Sequence, residues 1–168
     1  MRRLLIAGLV FGCSATGAGP VARRDVARAD APDTKPGGAP AGAAATGQVI
    51  VDVYGLKDQR GDLDVAIYQD AEGFPKDPKA ALTGRSVPID NRALRLVFDR
   101  VPAGEFAVAA YHDENSNGKL DTGAFGRPTE GYGFSRDAKG NFGPPSFEDA
   151  RLTLDAGQSE RVVVRIRY

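Results

Sequence analysis

The chain has no tryptophan, one histidine, one methionine and one cysteine among its 168 residues. A single cysteine excludes an internal disulfide, so any folded domain must be held by its own apolar core. A single histidine excludes a histidine-based zinc centre. A serine–histidine triad would have to use His112, and no nucleophile motif accompanies it. Neither sign of charge is in excess: 22 Lys and Arg balance 22 Asp and Glu, and the sequence pI is about 6.6. That balance argues against a nucleic-acid partner. The N-terminal apolar run, Leu4 to Phe11, is too short for a permanent membrane-spanning helix.

What is present starts with Met1-Arg2-Arg3, continues through that run and ends in Gly12-Cys13-Ser14. Two cations, a short apolar segment and then small residues predict a secretory signal peptide over residues 1–13. Val10-Phe11-Gly12-Cys13 resembles the bacterial lipobox, whose cysteine is acylated and becomes the mature N-terminus. The resemblance implies export to the bacterial cell envelope and attachment to a lipid membrane through Cys13. The alternatives are cleavage near Ala15–Ala18 or at Ala22, or a buried free thiol. Residues 14–46 are rich in Ala, Gly, Pro and Asp and contain no Phe, Tyr, Leu or Ile. Such a segment cannot bury enough apolar surface to offset its ordering entropy, which predicts a disordered tether.

From Gln48 onward, apolar residues alternate with polar ones. Val49, Val51 and Val53 form one face, as do Leu63, Val65 and Ile67, then Leu94, Leu96 and Phe98, then Phe106, Val108 and Ala110. Leu152 and Leu154 follow. Val162, Val164, Ile166 and Tyr168 then alternate with Arg161, Arg165 and Arg167. Period two marks half-buried strands. Turn residues separate them at Asp58–Gly61, Pro102-Ala103-Gly104 and Asp155-Ala156-Gly157. No long helical period occurs, and Pro78–Leu82 has room for one short helical turn. The expected fold of residues 47–168 is therefore all-β: an antiparallel β-sandwich of about seven strands, immunoglobulin-like or transthyretin-like. Two connections are long, Gln69–Arg92 and Asp113–Asp149, and long loops in a compact domain usually carry function.

The second long connection contains Asp113-x-Asn115-x-Asn117-Gly118-x-x-Asp121. Side-chain oxygens recur at alternate positions, a glycine permits a sharp turn, and a carboxylate closes the loop. With the Lys119 carbonyl, this pattern suits a hard cation such as Ca²⁺. An EF-hand would place a bidentate Glu at its twelfth position, and Ala124 stands there instead. Two carboxylates and two amides predict weak binding, about 10⁻⁴ to 10⁻³ M, as in extracellular modules, unless Glu130 or Asp137 folds in. The alternative is a polar turn, since Asn-Gly favours hairpins and Asx side chains cap their own backbone.

Aromatics interleave with glycine in Glu130-Gly-Tyr-Gly-Phe-Ser135 and Phe142-Gly-Pro-Pro-Ser-Phe-Glu-Asp149. Tyr132, Phe134 and Phe142 suit a stacking platform for a glycan. The same residues, with Phe147, would equally pin the long loop to the sandwich edge, the glycines allowing close approach. Glu72-Gly73-Phe74-Pro75 is a similar aromatic loop.

These segments, with Ala71–Pro75 and His112–Asp121, resemble in order and spacing the bacterial domain-of-unknown-function family numbered 2141, over about Gln48 to Tyr168. That family comprises exported proteins without an established activity, so the resemblance implies a location and no reaction. A wider similarity, carried by Pro102–Phe106, reaches the B-type repeats of surface adhesins and other transthyretin-like modules. Some of these have a calcium loop closed by a Glu at position twelve, from which Ala124 departs. The expectation is a non-enzymatic, lipid-anchored envelope module that binds an unidentified envelope protein or glycan. A carbohydrate-binding module is the alternative, and a small hydrolase is a third reading.

Overall fold

The structure is a computed structural model and describes residues 45–168. The expected signal peptide, Cys13 and almost all of the expected tether lie outside the described residues. The tether was expected to end at residue 46, but strand β1 (Thr46–Tyr54) already starts there. Thr46 stands opposite Pro102, its carbonyl accepts from the Gly157 amide, and the Ala45 carbonyl accepts from the Ala103 amide.

Seven further strands follow: β2 (Asp62–Tyr68), β3 (Thr83–Pro88), β4 (Ala93–Pro102), β5 (Gly104–Asp113), β6 (Tyr132–Phe134), β7 (Leu152–Leu154) and β8 (Ser159–Arg165). One sheet has the order β4-β1-β8. The other has the order β3-β2-β5-β6, with β7 pairing β5. Every pairing is antiparallel except β1 with β8, which is parallel. The all-β sandwich expected from the alternation is the fold observed.

The alternating residues meet between the sheets. Val49, Val51, Val53, Leu96, Phe98, Val162 and Val164 come from one sheet; Leu63, Val65, Ile67, Phe106, Val108, Ala110 and Leu154 come from the other. Each is essentially withdrawn from water. Full burial of such a side chain stabilises a fold by about 1.5–3 kcal/mol, which answers the absence of disulfides. Ile166 continues this face, but Tyr168 does not; it remains 54 % exposed.

The outer face of the five-stranded sheet carries a second, smaller core. Tyr68, Ala107, Ala109 and Phe134 are covered there by Phe147 and Ala150 of the one-turn helix α1 (Phe147–Ala150), with Phe74 partly buried against them. Phe74 is the hub, meeting Tyr68 at 5.3 Å, Phe147 at 5.8 Å and Phe134 at 6.0 Å, each edge to face. Ser146 starts α1 with a capping box, in which its side chain and that of Asp149 bond each other's backbone amides. The two long connections thus contain ordered pieces. The first holds β3 and a 3₁₀ turn at Pro78–Ala80, and the second holds β6 and α1.

On the outer face of the three-stranded sheet, Asp52 is buried beneath two arginines. Its carboxylate accepts from Arg95 Nε at 2.6 Å and Arg161 Nε at 2.5 Å. The Arg95 hydrogen bond, then that of Arg161, holds its carboxyl below the usual range against the opposing cost of burial.

Candidate functional site

The Asp113 loop leaves the end of β5 and returns as β6. Asp113 is buried, and both of its carboxylate oxygens are engaged by the loop backbone. Oδ1 accepts from the Asn117 amide at 3.0 Å, and Oδ2 accepts from the Gly118 amide at 2.6 Å. Asn115 Oδ1 accepts from the Asn117 amide, and Asn117 Oδ1 from the Lys119 amide. These are Asx turns, in which a short polar side chain replaces a backbone acceptor. Gly118 has φ +73, and a Cβ placed there would touch nothing. The glycine is therefore needed for its left-handed backbone and not for space.

Asp121 closes the ring. Its Oδ2 accepts from Asn115 Nδ2 at 2.7 Å and its Oδ1 from Asn117 Nδ2 at 3.0 Å. The two amide groups thus direct their N–H donors at the carboxylate a cation would use. Lys119 is exposed, and its amide is held by Asn117 Oδ1 at 2.9 Å. Among the described residues, no group of three or more His, Cys, Asp or Glu side chains is placed to hold a metal ion.

Glu130 does fold in, though as a brace. It is 5 % exposed, and its Oε1 accepts from the Glu114 amide and its Oε2 from the Asp121 amide, both at 2.8 Å. One buried carboxylate therefore ties the start of the loop to its end. This restraint is the one a bidentate acid at position twelve would give, whereas Ala124 is exposed in a 3₁₀ turn. Asp137 does not join the loop; it pairs with Arg167.

The rest of Glu130–Ser135 explains itself residue by residue. A Cβ on Gly131 would stand 2.5 Å from the Tyr168 ring, and one on Gly133 would stand 2.4 Å from the Arg165 carbonyl oxygen. The glycines let the last residues of the chain cross β6 closely. Tyr132 sits opposite Tyr111 of β5 and exchanges two backbone hydrogen bonds with Arg167. The Ser135 hydroxyl is buried; it accepts from the Val108 amide and donates to the Ala150 carbonyl. The three rings offered as a stacking platform lie in different environments. Phe134 is 7 % exposed, its ring used by the second core because β6 turns it toward Phe74. Tyr132 is half-buried against Phe134, and of these three rings Phe142 alone is fully exposed.

His112, adjacent to the loop, is wholly buried. Its Nε2 lies 2.7 Å from the Arg60 carbonyl, which can only accept, so Nε2 carries the proton. Nδ1 lies 2.5 Å from the Tyr168 hydroxyl, whose oxygen accepts from the Lys57 amide. Both ring nitrogens are thus used to fasten the chain end and the β1–β2 turn beside the loop. Lys57 adds an ion pair to Glu114 at 2.5 Å and lies over the Tyr168 ring at 4.8 Å.

One acidic feature escaped the sequence reading. Asp64 lies on the outer face of β2, opposite Ser86 on β3 and Tyr111 on β5. Its Oδ2 is buried without a hydrogen-bond partner. Burial pushes its carboxyl up to about 6, helped by the charges of Asp113, Asp62 and Glu130, while Ser86 acts in the other direction. Burial, then the Asp64 and Asp113 charges, raises the Tyr111 phenol as well. Alternation on β2 marked Asp64 only as outward-facing, and nothing local revealed that the Glu130 loop would fold beside it.

A family model described as an uncharacterized protein conserved in bacteria (DUF2141) matches residues 51–162. The match takes in the Asp113 loop, its Glu130 brace, β6 and the aromatic core. No curated protein and no solved structure matches the chain.

Proposed function

We propose, for a chain that belongs to this bacterial DUF2141 family, that the domain is a binding or structural module of the cell envelope whose working end is the Asp113–Glu130 loop. The observation that carries this reading is the loop's own bonding. Asp113 and Glu130, both buried, fix its backbone, and the polar side chains of Asn115, Asn117 and Asp121 converge on one another. A pre-ordered polar loop at a strand end spares the entropy that a ligand would otherwise have to offset.

The oxygens of Asp113, Asn115, Asn117 and Asp121 and the Lys119 carbonyl are the hard donors Ca²⁺ takes. Bound there, the ion would neutralise the carboxylates and cross-link the loop. It would also have to displace the two Asn–Asp121 hydrogen bonds, and Glu130 is already committed to backbone amides. Both features favour weak binding, about 10⁻⁴ to 10⁻³ M. Export and attachment through an acylated Cys13 belong to the same reading and rest on the sequence of residues 1–13. An envelope protein or glycan is the partner class.

Isothermal titration of the full chain with CaCl₂ tests the loop assignment. Saturable heat is expected at millimolar Ca²⁺, lost in Asp121→Ala. Absence of heat, or heat unchanged by that substitution, would rule out this loop as the calcium site.

A further inference from the structure

A second surface lies where the chain end crosses β6. Here a groove of about 210 Å³ is lined by Tyr132, Asp137, Lys139, Arg165 and Arg167 and by the backbone of Gly140 and Gly143. Asp137 is its one acid, and Arg167 pairs with it. Lys139 and Arg165 form no ion pair among the described residues, so the groove has unneutralised positive charge.

Phe142 lies in the chain between two of the lining glycines and is 106 % exposed. The turn that presents it is tight. A Cβ on Gly140 would stand 2.1 Å from the Gly143 carbonyl oxygen, and Gly143 has φ +140. Gly143 thus needs glycine's backbone freedom, and Gly140 its lack of a side chain. A large apolar side chain held in water at a turn tip gains nothing for the fold. The other rings of this region, Phe134 and Phe147, are both buried. Phe142 is on the same chain segment as Lys139, while Arg165 ends β8.

We infer that this surface docks on an anionic lipid membrane, with Phe142 entering the interfacial region and Lys139 and Arg165 facing the headgroup phosphates. Phe is among the apolar side chains that bury at the headgroup–acyl boundary, and each cation near an anionic surface adds about 1 kcal/mol, or roughly fivefold in affinity. One ring and two cations give weak attachment alone. Such contacts matter for orientation where something else already holds the protein at a membrane. The inference is independent of the calcium reading.

The absence of tryptophan supplies the assay. Phe142→Trp puts a single indole at the turn tip, in a full chain carrying Cys13→Ser so that no acyl chain contributes. Its fluorescence is followed with phosphatidylcholine vesicles and with vesicles that also contain phosphatidylglycerol. A blue shift and quenching by brominated lipid are expected only with the anionic vesicles. Lys139→Glu with Arg165→Glu should raise the lipid concentration needed by on the order of tenfold or more. No shift with anionic vesicles overturns the inference. Equal shifts with both vesicle types, or full reversal by inorganic phosphate at constant ionic strength, also overturn it; the latter would mean a soluble-anion site. As a second readout, Phe142→Ala should reduce co-sedimentation with anionic vesicles while leaving the melting temperature unchanged, and undiminished sedimentation counts against the inference.

Discussion

Asp64→Asn should make the protein more stable at pH 8 and should make little difference at pH 4. Asp64 titrates at about 6 in the folded chain against 3.8 for an ordinary aspartate, chiefly because burial penalises its ionised form. The folded state therefore holds the proton more tightly than the unfolded state. Its favourable contribution is complete below about pH 4 and is lost as pH rises through about 6. At 1.36 kcal/mol per pKa unit the full shift would correspond to about 3 kcal/mol. Asp64 is only half-buried, so solvent screening reduces this to about 1–2 kcal/mol. Asparagine has the same shape and no charge, so it removes the penalty above pH 6 and keeps a polar group toward Ser86. Thermal melts of parent and variant at pH 4, 6 and 8 give the answer as a difference, which cancels the titrating groups that do not interact with Asp64. For a domain of this size, about 1–2 kcal/mol corresponds to roughly 3–8 °C at pH 8. A variant equally stable or less stable than the parent at pH 8 would refute the reasoning. So would a difference that does not shrink on acidification. The charges of Asp113 and Glu130 contribute to the shift, so bound Ca²⁺ at the loop should reduce the gain.

Three further substitutions address the frame around the loop. Glu130→Gln puts an amide donor against a backbone N–H in a buried site, and urea unfolding should show a loss of about 2–3 kcal/mol, with faster amide exchange at Glu114 and Asp121. Gly133→Ala forces a Cβ against the Arg165 carbonyl oxygen, and chemical denaturation should report a loss of about 1–3 kcal/mol. Phe134→Ala empties the second core and should cost about 3 kcal/mol or more; a cost near zero would mean the ring is a surface residue after all.

Much of the frame could be read from alternation. It located β1, β2, β4, β5, β7 and β8 because their inner faces share one core, which imposes period two. It missed β3, whose Thr83–Pro88 lies at a sheet edge with no fully buried residue and so has no pattern to impose. It missed β6, three residues long with Gly133 at its centre. The parallel pairing of β1 with β8 joins segments more than 100 residues apart, and no local signal encodes it. For the loop, spacing alone identified Asp113, Asn115, Asn117 and Asp121 as a convergent set. The role of Glu130 was less visible, because its partners are backbone amides that carry no sequence signature. Phe134 and Phe142 look alike in sequence, each beside glycine. Their fates differ because strand pairing with Ala109 turns Phe134 inward, while Phe142 lies exposed in the Gly140–Gly143 turn.

The most direct test of the loop as a weak cation site is the melting temperature of the full chain, measured in millimolar Ca²⁺ and again in chelator. With a dissociation constant near 10⁻³ M and about 5 mM ion, binding should stabilise the fold by about 1 kcal/mol, a rise of roughly 3–5 °C that Asp121→Ala abolishes. Identical melting temperatures in calcium and chelator would contradict it and leave the loop as a self-contained polar turn.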